Sequence, residues 1–405
     1  MTNKHSQLQT GREQAIALDA TDELACYRDQ FALADDTIYL DGNSLGALPK
    51  KSVPKLLDVV NREWGNDLIC SWEVNGWMDL PITLGNKIAQ VIGAGSEEVV
   101  VCDSTSINLY KALSAALSLN PHRTSILSDN TNFPTDLYVA NGLISNIGRN
   151  LQLELVARHD IEDSISAEIA VVYLTHVEYL TGGMCDLSRI TKVAHDHGAL
   201  VVWDLSHSAG VIPINLKSAG ADFAVGCGYK FLNGGPGAPA YIYVKQDHQR
   251  YVESPLKGWL GHSNPFRFEE RYHPADGIRR MLCGSPPILS MVCLDTAIDL
   301  LLSSNLSLIR DKSIKLSNLL IEQLDLISEE LGLCLLTPRN PSMRGSQVSV
   351  THPDAIQIRD RMLQSGVIVD FRPPNILRFG LAPLYTRYTD IWEAIQSLRS
   401  AARDL

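Results

Sequence analysis

From about residue 97 to residue 204, short apolar runs alternate with segments whose apolar residues recur at helical spacing. The runs EEVVVCDS, RTSILSD, EIAVVYLTHV and ALVVWDLSH predict strands, whereas INLYKALSAALS, the stretch after FPTD and LSRITKVAHDHG predict helices. The strand runs are continuously apolar, which is typical of parallel strands covered on both faces. This alternation predicts an α/β domain with a mostly parallel sheet, whose ligands bind at the carboxyl ends of the strands.

The pattern changes after residue 300. A long amphipathic helix is predicted over 306–333, followed by the run GSQVSVTH, a helix over 354–364, the run NILRFGLAP and a terminal helix from about residue 386. Helices packed on a short sheet give an α+β arrangement. A chain of 405 residues is too long for one simple core. We therefore predict a large α/β domain over 46–300 and a smaller α+β domain formed by 1–45 and 301–405.

Charge and cysteine usage exclude several classes of protein. The net charge of -11 and the absence of a Lys/Arg cluster argue against nucleic-acid binding. No run approaches the 18 apolar residues of a membrane span, and the polar N-terminus has no apolar signal region. The eight cysteines form no CxxC pair and no zinc-type spacing. The composition predicts a cytoplasmic protein with reduced, buried thiols and no metal site.

Two strand ends carry charged residues of unusual type. Lys230 lies in GCGYKFLNGGPG, just after an apolar run and before a glycine-rich loop, and Asp204 directly follows the apolar run ending in ALVVW. A pyridoxal phosphate enzyme needs a lysine for the Schiff base, an acid beside the pyridine nitrogen, and donors for the phosphate. The alternatives are a surface lysine near a tight turn and an aspartate that caps a helix.

Further polar residues follow the other predicted strands. Ser104, Thr105 and Ser106 lie between a strand and a helix start, where hydroxyls and free N–H groups bind anions, although helix capping explains them equally well. Phe133 and Asp136, in TNFPTD, follow the next strand, and Phe133 fits either ring stacking or core packing. All these residues fall at strand carboxyl ends of one domain, and together they favour a cofactor site.

The chain resembles the kynureninase family, pyridoxal phosphate enzymes of the aspartate-aminotransferase-like fold (fold type I). The resemblance is carried by YLDGNSLGALP, NFPTDLY, WDLSHSAG, GCGYKFLNGGPG, GWLGH and LRFGLAPLY, which span residues 39–385 in the family's order. It implies that Lys230 forms the Schiff base, that Asp204 pairs with the pyridine nitrogen, and that Tyr229 contacts the phosphate and takes part in proton transfer.

The resemblance also implies the remaining site residues. The implied cofactor-binding residues are Thr105, Ser106, Phe133, Pro134, Thr135, Asp136, Thr175, Asp204, His207, Tyr229, Lys230, Trp259 and Ser285. Among them, Trp259 and Ser285 match positions that the neighbouring subunit contributes, so a homodimer with shared sites is implied. The implied substrate-binding residues are Arg378, for the α-carboxylate, and Asn43, Trp72 and Ser285. A guanidinium is well suited to hold a carboxylate through two hydrogen bonds.

The implied reaction is hydrolysis of L-kynurenine to anthranilate and L-alanine, with cleavage of the Cβ–Cγ bond, in tryptophan catabolism or NAD biosynthesis. Family members carry asparagine or threonine where this chain has Ser285, and those that prefer 3-hydroxykynurenine have a histidine at the position aligned with Trp72. We therefore expect 3-hydroxy-L-kynurenine to be the poorer substrate.

Three rival functions remain at this stage: a cysteine desulfurase, a small-molecule aminotransferase of the same fold, and a binding protein that has lost catalysis. A desulfurase needs a nucleophilic cysteine on a mobile loop, but Cys334, in LGLCLLTP, is predicted to lie in a buried strand. Retention of Lys230, Asp204 and Arg378 argues against a non-catalytic protein.

Overall fold

The computed structural model describes residues 2–148, 150–403 and 405. The strands of this part of the chain are β1 Ile38–Leu40, β2 Val99–Val101, β3 Ser125–Asp129, β4 Gln152–Val156, β5 Ile169–Thr175, β6 Leu200–Asp204, β7 Phe223–Gly226, β8 Tyr241–Val244, β9 Cys334–Leu335, β10 Gln347–Thr351, β11 Val367–Arg372 and β12 Ile376–Gly380.

The α-helices of the same part of the chain are α1 Thr2–Ala20, α2 Ala25–Arg28, α3 Ser52–Asp58, α4 Ser71–Val74, α5 Leu80–Ile92, α6 Thr105–Leu119, α7 Pro134–Ile147, α8 Ile161–Ser164, α9 Leu187–Asp196, α10 Leu216–Ala219, α11 Gln246–Gln249, α12 Ile288–Leu302, α13 Leu306–Leu331, α14 Ala355–Gln364 and α15 Tyr388–Ala402. A π-helical turn, Val59–Trp64, follows α3, and short 3-10 segments include Trp259–Gly261 and Gly277–Met281.

Seven strands form a large sheet in the order β2-β8-β7-β6-β5-β3-β4. Every neighbouring pair is parallel except the two pairs made by β8, which is antiparallel to both β2 and β7. Alternate residues of each strand enter two different apolar clusters: Val201 and Trp203 pack in one, and Val202 in the other. Both faces are therefore buried, which explains the continuously apolar strand runs. The predicted α/β fold with a mostly parallel sheet is confirmed.

Five strands form a smaller sheet in the order β1-β11-β12-β10-β9. β1 runs parallel to β11, whereas β11, β12, β10 and β9 pair antiparallel in turn. Helices α1, α13, α14 and α15 contribute to the apolar cluster that packs on this sheet. The N-terminal β1 thus joins strands from the C-terminal third. This pairing supports the division into 46–300 and 1–45 with 301–405, which we keep as a proposal.

Helix α13 spans both apolar clusters. Ile309, in its first turn, packs in the core of the large sheet, whereas its later residues, from Leu316 onward, pack against the smaller sheet. Asn305 caps its start, accepting a hydrogen bond from the N–H of Ser307 at 2.8 Å, and Gly332 ends it with a φ of 66°. A change of sheet within one helix explains why sequence pattern alone gives no sharp domain boundary near residue 300.

The prediction for the cysteines is wrong in one respect. Cys26, Cys70 and Cys334 are exposed, and the strand predicted around Cys334 is reduced to β9, Cys334–Leu335, at the edge of the smaller sheet. Cys334 is exposed because β9 is only two residues long and pairs only with β10, which leaves it at the open edge of the sheet. All eight cysteines are unpaired thiols.

No single helix in the described ranges is long and apolar enough to cross a bilayer. The pair α12 and α13 meets that test of length and composition only when taken together, across a bend of 85°.

Candidate active site

A cavity of about 90 Å³ opens at the carboxyl ends of the parallel strands. Its walls come from the segments after β2, β3, β5, β6 and β7, because the carboxyl ends of parallel strands meet at one edge of the sheet. The residues that line it are Thr105, Ser106, Phe133, Thr135, Asp136, Thr175, Val177, Tyr179, Asp204, Ser206, His207, Tyr229 and Lys230. The structure thus brings together ten of the residues singled out in the sequence.

A larger cavity of about 550 Å³ adjoins the first and shares Thr105, Ser106 and Tyr229 with it. Its further lining residues include Cys102, Asp103, Gly237, Leu282, Cys283, Gly284 and Ser285. Gly237 has a φ of 75°, in the left-handed region that residues with a Cβ rarely adopt. Because Ser285 lines the same cavity as Thr105 and Ser106, it borders the space beside the start of α6 within its own chain.

Three buried polar atoms of the first cavity have no hydrogen-bond partner: Asp136 Oδ2, Thr175 Oγ1 and His207 Nδ1. Thr175 and Asp204 are paired residues at the ends of neighbouring strands, so their side chains reach the same place. An unsatisfied buried polar group costs about 1–3 kcal/mol. Three of them around one space indicate a ligand with several polar atoms, as a pyridine ring with a hydroxyl and a phosphate provides.

Two buried carboxyl groups face each other in this cavity. The pKa of Asp136 is raised well above its usual range, first by burial and then by the negative charge of Asp204. Asp204 Oδ1 accepts a hydrogen bond of 2.7 Å from the N–H of Ser206, and no regular helix follows, so the helix-cap alternative for Asp204 is wrong. Such a pair favours a ligand that brings a positively charged N–H.

His207 and Tyr229 complete the polar wall. Burial, together with the positive charges of Lys230 and Arg378, holds the pKa of His207 well below its usual range, so its imidazole is neutral at pH 7. Burial likewise raises the pKa of Tyr229, which keeps its hydroxyl protonated. The Lys230 amine lies 5.9 Å from the centre of the Tyr229 ring. A neutral imidazole, a phenol and an amine therefore lie within one cavity.

The start of α6 has the features of an anion site. Ser104 is its N-cap, and Ser104 Oγ accepts a hydrogen bond of 3.4 Å from the N–H of Ile107. Capping thus falls to Ser104, and Thr105 and Ser106, the first residues of the helix, are left to line the cavities. Amide groups of a first helical turn have no partner within the helix, so they can bind a phosphate.

The start of α7 forms the opposite wall. Phe133 is its N-cap residue and Pro134 its first residue, where the missing N–H of proline costs nothing. Phe133 is 36% exposed, which excludes the alternative of core packing, and its ring meets the ring of Tyr179 edge to face at 5.2 Å. Pro134 does not line the cavity, whereas Thr135 does. The Phe133 ring is therefore partly exposed in the wall of the cavity.

Arg378 lies in β12 and is 1% exposed. Its guanidinium donates hydrogen bonds to Asp370 Oδ2, at 2.5 Å from Nε, to the carbonyl oxygen of Tyr179 at 2.6 Å, and to Ser44 Oγ at 3.2 Å. A surface ion pair, the alternative for this residue, is excluded. Arg378 forms a buried ion pair with Asp370, its cross-strand neighbour on β11. It does not line the first cavity but touches Tyr179, which does.

Asn43 is fully buried beside Arg378's strand, and a Cβ at Gly380 would lie 1.9 Å from Asn43 Oδ1. Asn43 Nδ2 donates a hydrogen bond of 3.0 Å to Gln347 Oε1, while Asn43 Oδ1 has no partner. Gln347 Nε2 in turn donates to the carbonyl oxygen of Tyr179 at 2.8 Å. Asn43 is therefore fixed by the smaller sheet and reaches the cavity only through Gln347 and Tyr179.

Trp72 and Trp259 lie together, with ring centres 6.1 Å apart, and neither lines the cavity around Lys230 in the same chain. The Trp72 ring also meets the Trp77 ring at 5.9 Å, and the Trp259 ring meets Phe266 at 5.8 Å. Trp72 therefore lies outside the cavity around Lys230, and its contact with the substrate stays a prediction. Both indoles therefore belong to one aromatic cluster, made of Trp72, Trp77, Trp259 and Phe266.

Sequence reasoning missed several residues of the site. Tyr179 and Ser206 line the cavity, Gln347 connects it to Asn43, and Asp370 holds Arg378. Tyr179 and Ser206 follow Thr175 and Asp204 by only a few positions, so their place after the strand ends was a usable signal. The partner Asp370 lies with Arg378 in the segment VIVDFRPPNILRFG, and only the register of this hairpin places the two residues opposite each other.

Comparison with solved structures defines the class. An apo cysteine desulfurase from Thermococcus onnurineus NA1 matches with a TM-score of 0.80 and 21% identity over 94% of this chain and 98% of that chain. A variant of C-DES with glycine covalently linked to its PLP cofactor matches with a TM-score of 0.80 and 16% identity, over 93% of this chain and 99% of that chain. The fold is therefore that of the fold type I pyridoxal phosphate enzymes, and the cavity of orphaned polar atoms beside Lys230 suits that class.

Sequence comparison gives the family. Kynureninase from Pseudomonas fluorescens is 46% identical over 394 residues, covering 96% of this chain and 95% of that protein. Kynureninase from Burkholderia mallei (strain SAVP1) is 45% identical over 393 residues, covering 96% of this chain and 94% of that protein. The profile of the kynureninase C-terminal domain matches residues 309–398. The chain belongs to the kynureninase family, as the motifs in the sequence indicate.

Proposed function

We propose that this chain binds pyridoxal phosphate and hydrolyses L-kynurenine to anthranilate and L-alanine, cleaving the Cβ–Cγ bond. The family supports the reaction. The observation that supports cofactor binding is the cavity at the strand ends. An amine, two carboxyl groups and three unpaired buried polar atoms meet there. When bound, pyridoxal phosphate supplies the electron sink that this carbon–carbon cleavage requires.

The residues of the cavity have distinct tasks. Asp204, with Asp136 beside it, holds a proton at the ring nitrogen, because two adjacent buried carboxyl groups are stabilised by a shared N–H. Thr105 and Ser106 bind the phosphate at the start of α6, and Phe133 covers one face of the ring. The flanking Pro134 and Thr135 hold Phe133 in that position at the start of α7.

Proton transfer falls to Lys230 and Tyr229. The Lys230 amine anchors the cofactor and then acts as the base that removes the α-proton of the substrate, for which it must be uncharged. The Tyr229 hydroxyl, kept protonated by burial, is placed to donate a proton near the phosphate end. Neutral His207 and Thr175 donate or accept hydrogen bonds without adding charge beside Asp204.

Arg378 holds the α-carboxylate of the substrate, and Asn43 lies in the adjoining wall. Support comes from its guanidinium, which is buried next to the wall of the cavity at Tyr179. A buried guanidinium binds a carboxylate strongly because water does not compete.

Turnover of L-kynurenine, followed by the fluorescence of anthranilate, tests the reaction directly. The purified holoenzyme is also assayed with L-cysteine as the substrate, because the solved structures of similar fold include cysteine desulfurases. Production of anthranilate from kynurenine with no alanine from cysteine supports the proposal. Alanine from cysteine without anthranilate from kynurenine would establish a desulfurase instead, with its sulfur held as a persulfide on a cysteine, of which exposed Cys334 is the first to substitute.

We also propose a homodimer whose two sites are shared, with Trp259 and Ser285 contributed to the partner's site. Ser285 also borders the cavity beside the start of α6 in its own chain, which puts it near the boundary of the two proposed sites. Support comes from the aromatic cluster of Trp72 and Trp259, which does not line the cavity around Lys230 in its own chain. Further support comes from exposed apolar side chains in the segments that carry this cluster. These are Leu68, Ile69, Val74, Phe266 and Phe268. An exposed apolar patch of this kind marks a protein interface.

The dimer is tested by mixing two inactive variants, Lys230→Ala and Trp259→Ala, after unfolding and refolding them together. If the sites are shared, random pairing makes about half of the dimers heterodimers with one intact and one doubly altered site, so about a quarter of the parent's activity returns. Sedimentation gives the mass independently. A fully active monomer contradicts the proposal.

For substrate scope, we propose that L-kynurenine has a kcat/KM about 10-fold or more above that of 3-hydroxy-L-kynurenine. Ser285 replaces a longer hydrogen-bonding side chain, and an indole at the place of Trp72 only donates one hydrogen bond. A poorly paired ring hydroxyl costs about 1–3 kcal/mol. Kinetics on both substrates decide it, and equal values would contradict this assignment of Trp72 and Ser285.

The setting we propose is the cytoplasm, with a role in tryptophan catabolism or NAD biosynthesis. Eight unpaired thiols, three of them exposed, suit a reducing compartment. Growth on tryptophan or kynurenine after deletion of the gene separates the catabolic role from the biosynthetic one.

A further inference from the structure

Lys111 is fully buried in helix α6, behind the start of that helix. Its ammonium donates a hydrogen bond of 2.7 Å to the carbonyl oxygen of Met281 and forms a short ion pair with the carboxylate of Asp103. Burial opposes the charge on Lys111, but Cys102 and Asp103 raise its pKa above the usual range. A buried lysine with two such partners is charged, and nothing in the proposed reaction accounts for it.

One partner of Lys111 lines the larger cavity, and the other directly precedes lining residues. Asp103 lies between β2 and α6, directly before Ser104, and its side chain is 29% exposed. Met281 ends the 3-10 segment Gly277–Met281, after which Leu282, Cys283, Gly284 and Ser285 line the same cavity. One ammonium therefore links Asp103 to the start of the lining segment that follows Met281.

The backbone of Asp103 is held in an unusual conformation. Its φ is 50°, in the left-handed region that few residues other than glycine adopt. Its carbonyl oxygen accepts a hydrogen bond of 2.9 Å from the N–H of Ala240, on the far side of the loop after Lys230. The Asp103 carboxylate is thus fixed in the cavity wall and turned toward Lys111.

We propose that Lys111 is a positioning residue for the phosphate of the cofactor: it links these two segments and neutralises the carboxylate of Asp103 that would otherwise repel the phosphate. The proposal rests on the proposed function, because it takes pyridoxal phosphate as the ligand. Without the ammonium, a partly exposed carboxylate in the wall faces a phosphate of nearly two negative charges. Lys111 itself does not touch the ligand, since it lines neither cavity.

The test compares the binding of pyridoxal phosphate and of pyridoxal, which lacks the phosphate, to the apoenzyme, followed by visible absorbance and tryptophan fluorescence. Lys111→Met should weaken pyridoxal phosphate at least about 10-fold and pyridoxal by less than about 3-fold. The matched control is Lys312→Met, which removes another buried lysine paired with an aspartate, Asp22, away from both cavities. Lys312→Met should lower the melting temperature and leave both affinities unchanged.

A second variant separates charge from packing. Lys111→Met/Asp103→Asn removes both charges and should bring the affinity for pyridoxal phosphate back to within about 3-fold of the parent. If Lys111→Met alone fails to fold, Asp103→Asn is compared with the double variant. The single change keeps the ammonium and should bind pyridoxal phosphate more tightly, relative to pyridoxal, than the double variant does.

The outcomes are distinct. Equal losses for pyridoxal phosphate and pyridoxal in Lys111→Met, or a double variant no better than the single one, overturn the proposal. Equal preferences for the phosphate in Asp103→Asn and the double variant also overturn it. A parent protein that binds no pyridoxal phosphate would instead overturn the proposed function.

Discussion

The two charged centres of this site differ in how their polar atoms are satisfied. Around Lys230, three buried polar atoms have no partner, and two carboxyl groups lie side by side. Around Arg378, the guanidinium already binds a carboxylate, a carbonyl oxygen and a hydroxyl of its own chain. The first centre is prepared for a ligand that supplies missing partners, whereas the second must exchange partners to bind one.

This difference has an energetic basis. Each unpaired buried polar atom costs about 1–3 kcal/mol, so binding a ligand that pairs them returns that free energy. A substrate carboxylate bound by Arg378, as proposed, would have to compete with Asp370 for the guanidinium. The charges of Asp370 and Arg378 also act on Asp41: that of Asp370 raises its pKa and that of Arg378 lowers it. Cofactor binding therefore gains from the resting structure, and carboxylate binding is opposed by it.

The largest effect is expected at the first centre. Lys230→Ala should lower turnover of L-kynurenine by at least about 1,000-fold, because no other amine lines the described cavity to act as the base. Cofactor should still bind through its phosphate, without the visible absorbance that its bond to lysine gives. Anthranilate fluorescence and absorbance spectra check both.

The control for that experiment is Lys192→Ala, which removes an exposed lysine paired with Asp196 on α9. It should retain the activity of the parent. Activity close to the parent's in Lys230→Ala would show that the cavity around Lys230 is not where the reaction takes place. The contrast drawn between the Lys230 and Arg378 centres would then fail.

The second effect is expected at Arg378 and falls mainly on KM. Arg378→Lys should raise KM for L-kynurenine by about 30- to 100-fold, because lysine lacks the planar fork that binds a carboxylate through two hydrogen bonds. Cofactor affinity should change little, since Arg378 does not line the cavity around Lys230. A variant with weaker cofactor binding and unchanged KM would place the substrate carboxylate elsewhere.

Asp370→Asn sharpens the same comparison. The amide keeps a hydrogen-bond acceptor for Arg378 but removes the competing charge, so KM should fall by about 3-fold, while kcat stays near the parent's. Steady-state kinetics measure it. A rise in KM would show that Asp370 orients Arg378 for the substrate and does not compete with it.

The two centres also differ in how far sequence predicts them. Lys230, Asp204, Thr175 and Thr105 each follow a continuously apolar run, and parallel strands bring such ends together whatever their separation in the chain. The pairing of Arg378 with Asp370 depends on the register of a hairpin, Asp370 opposite Arg378, which apolar patterning does not fix.

The positions of the aromatic residues were harder to predict. Trp72 lies in a short helix, α4, whose place against Trp259 depends on contacts between segments far apart in the chain. The hydrogen bond of Gln347 to Asn43 likewise joins residues 304 positions apart. No local periodicity encodes such contacts. The positions of Trp72 and Asn43 in the fold therefore could not be predicted from the sequence pattern.

The smallest expected effect is on stability, and it concerns Asp41, a second carboxyl group whose pKa is affected by Arg378. The pKa of Asp41 is raised from 3.8 to about 6, mainly by burial and further by the charge of Asp370, although Ser44 and Arg378 lower it. A carboxyl group whose pKa is higher in the folded state binds its proton more tightly there. It therefore destabilises the fold progressively as the pH rises from 3.8 to about 6, and fully above that.

Asp41→Asn removes this cost, so it should raise the free energy of unfolding at pH 7.5 by about 1–3 kcal/mol and have little effect near pH 4. Urea unfolding at both pH values measures it, with exposed Asp247→Asn as the control, which should change stability equally at both. If Arg378 has spare capacity for a carboxylate, Asp41 would instead be a favourable partner and its removal would destabilise the protein at pH 7.5. That result would contradict the view that the guanidinium of Arg378 is already satisfied by its own chain.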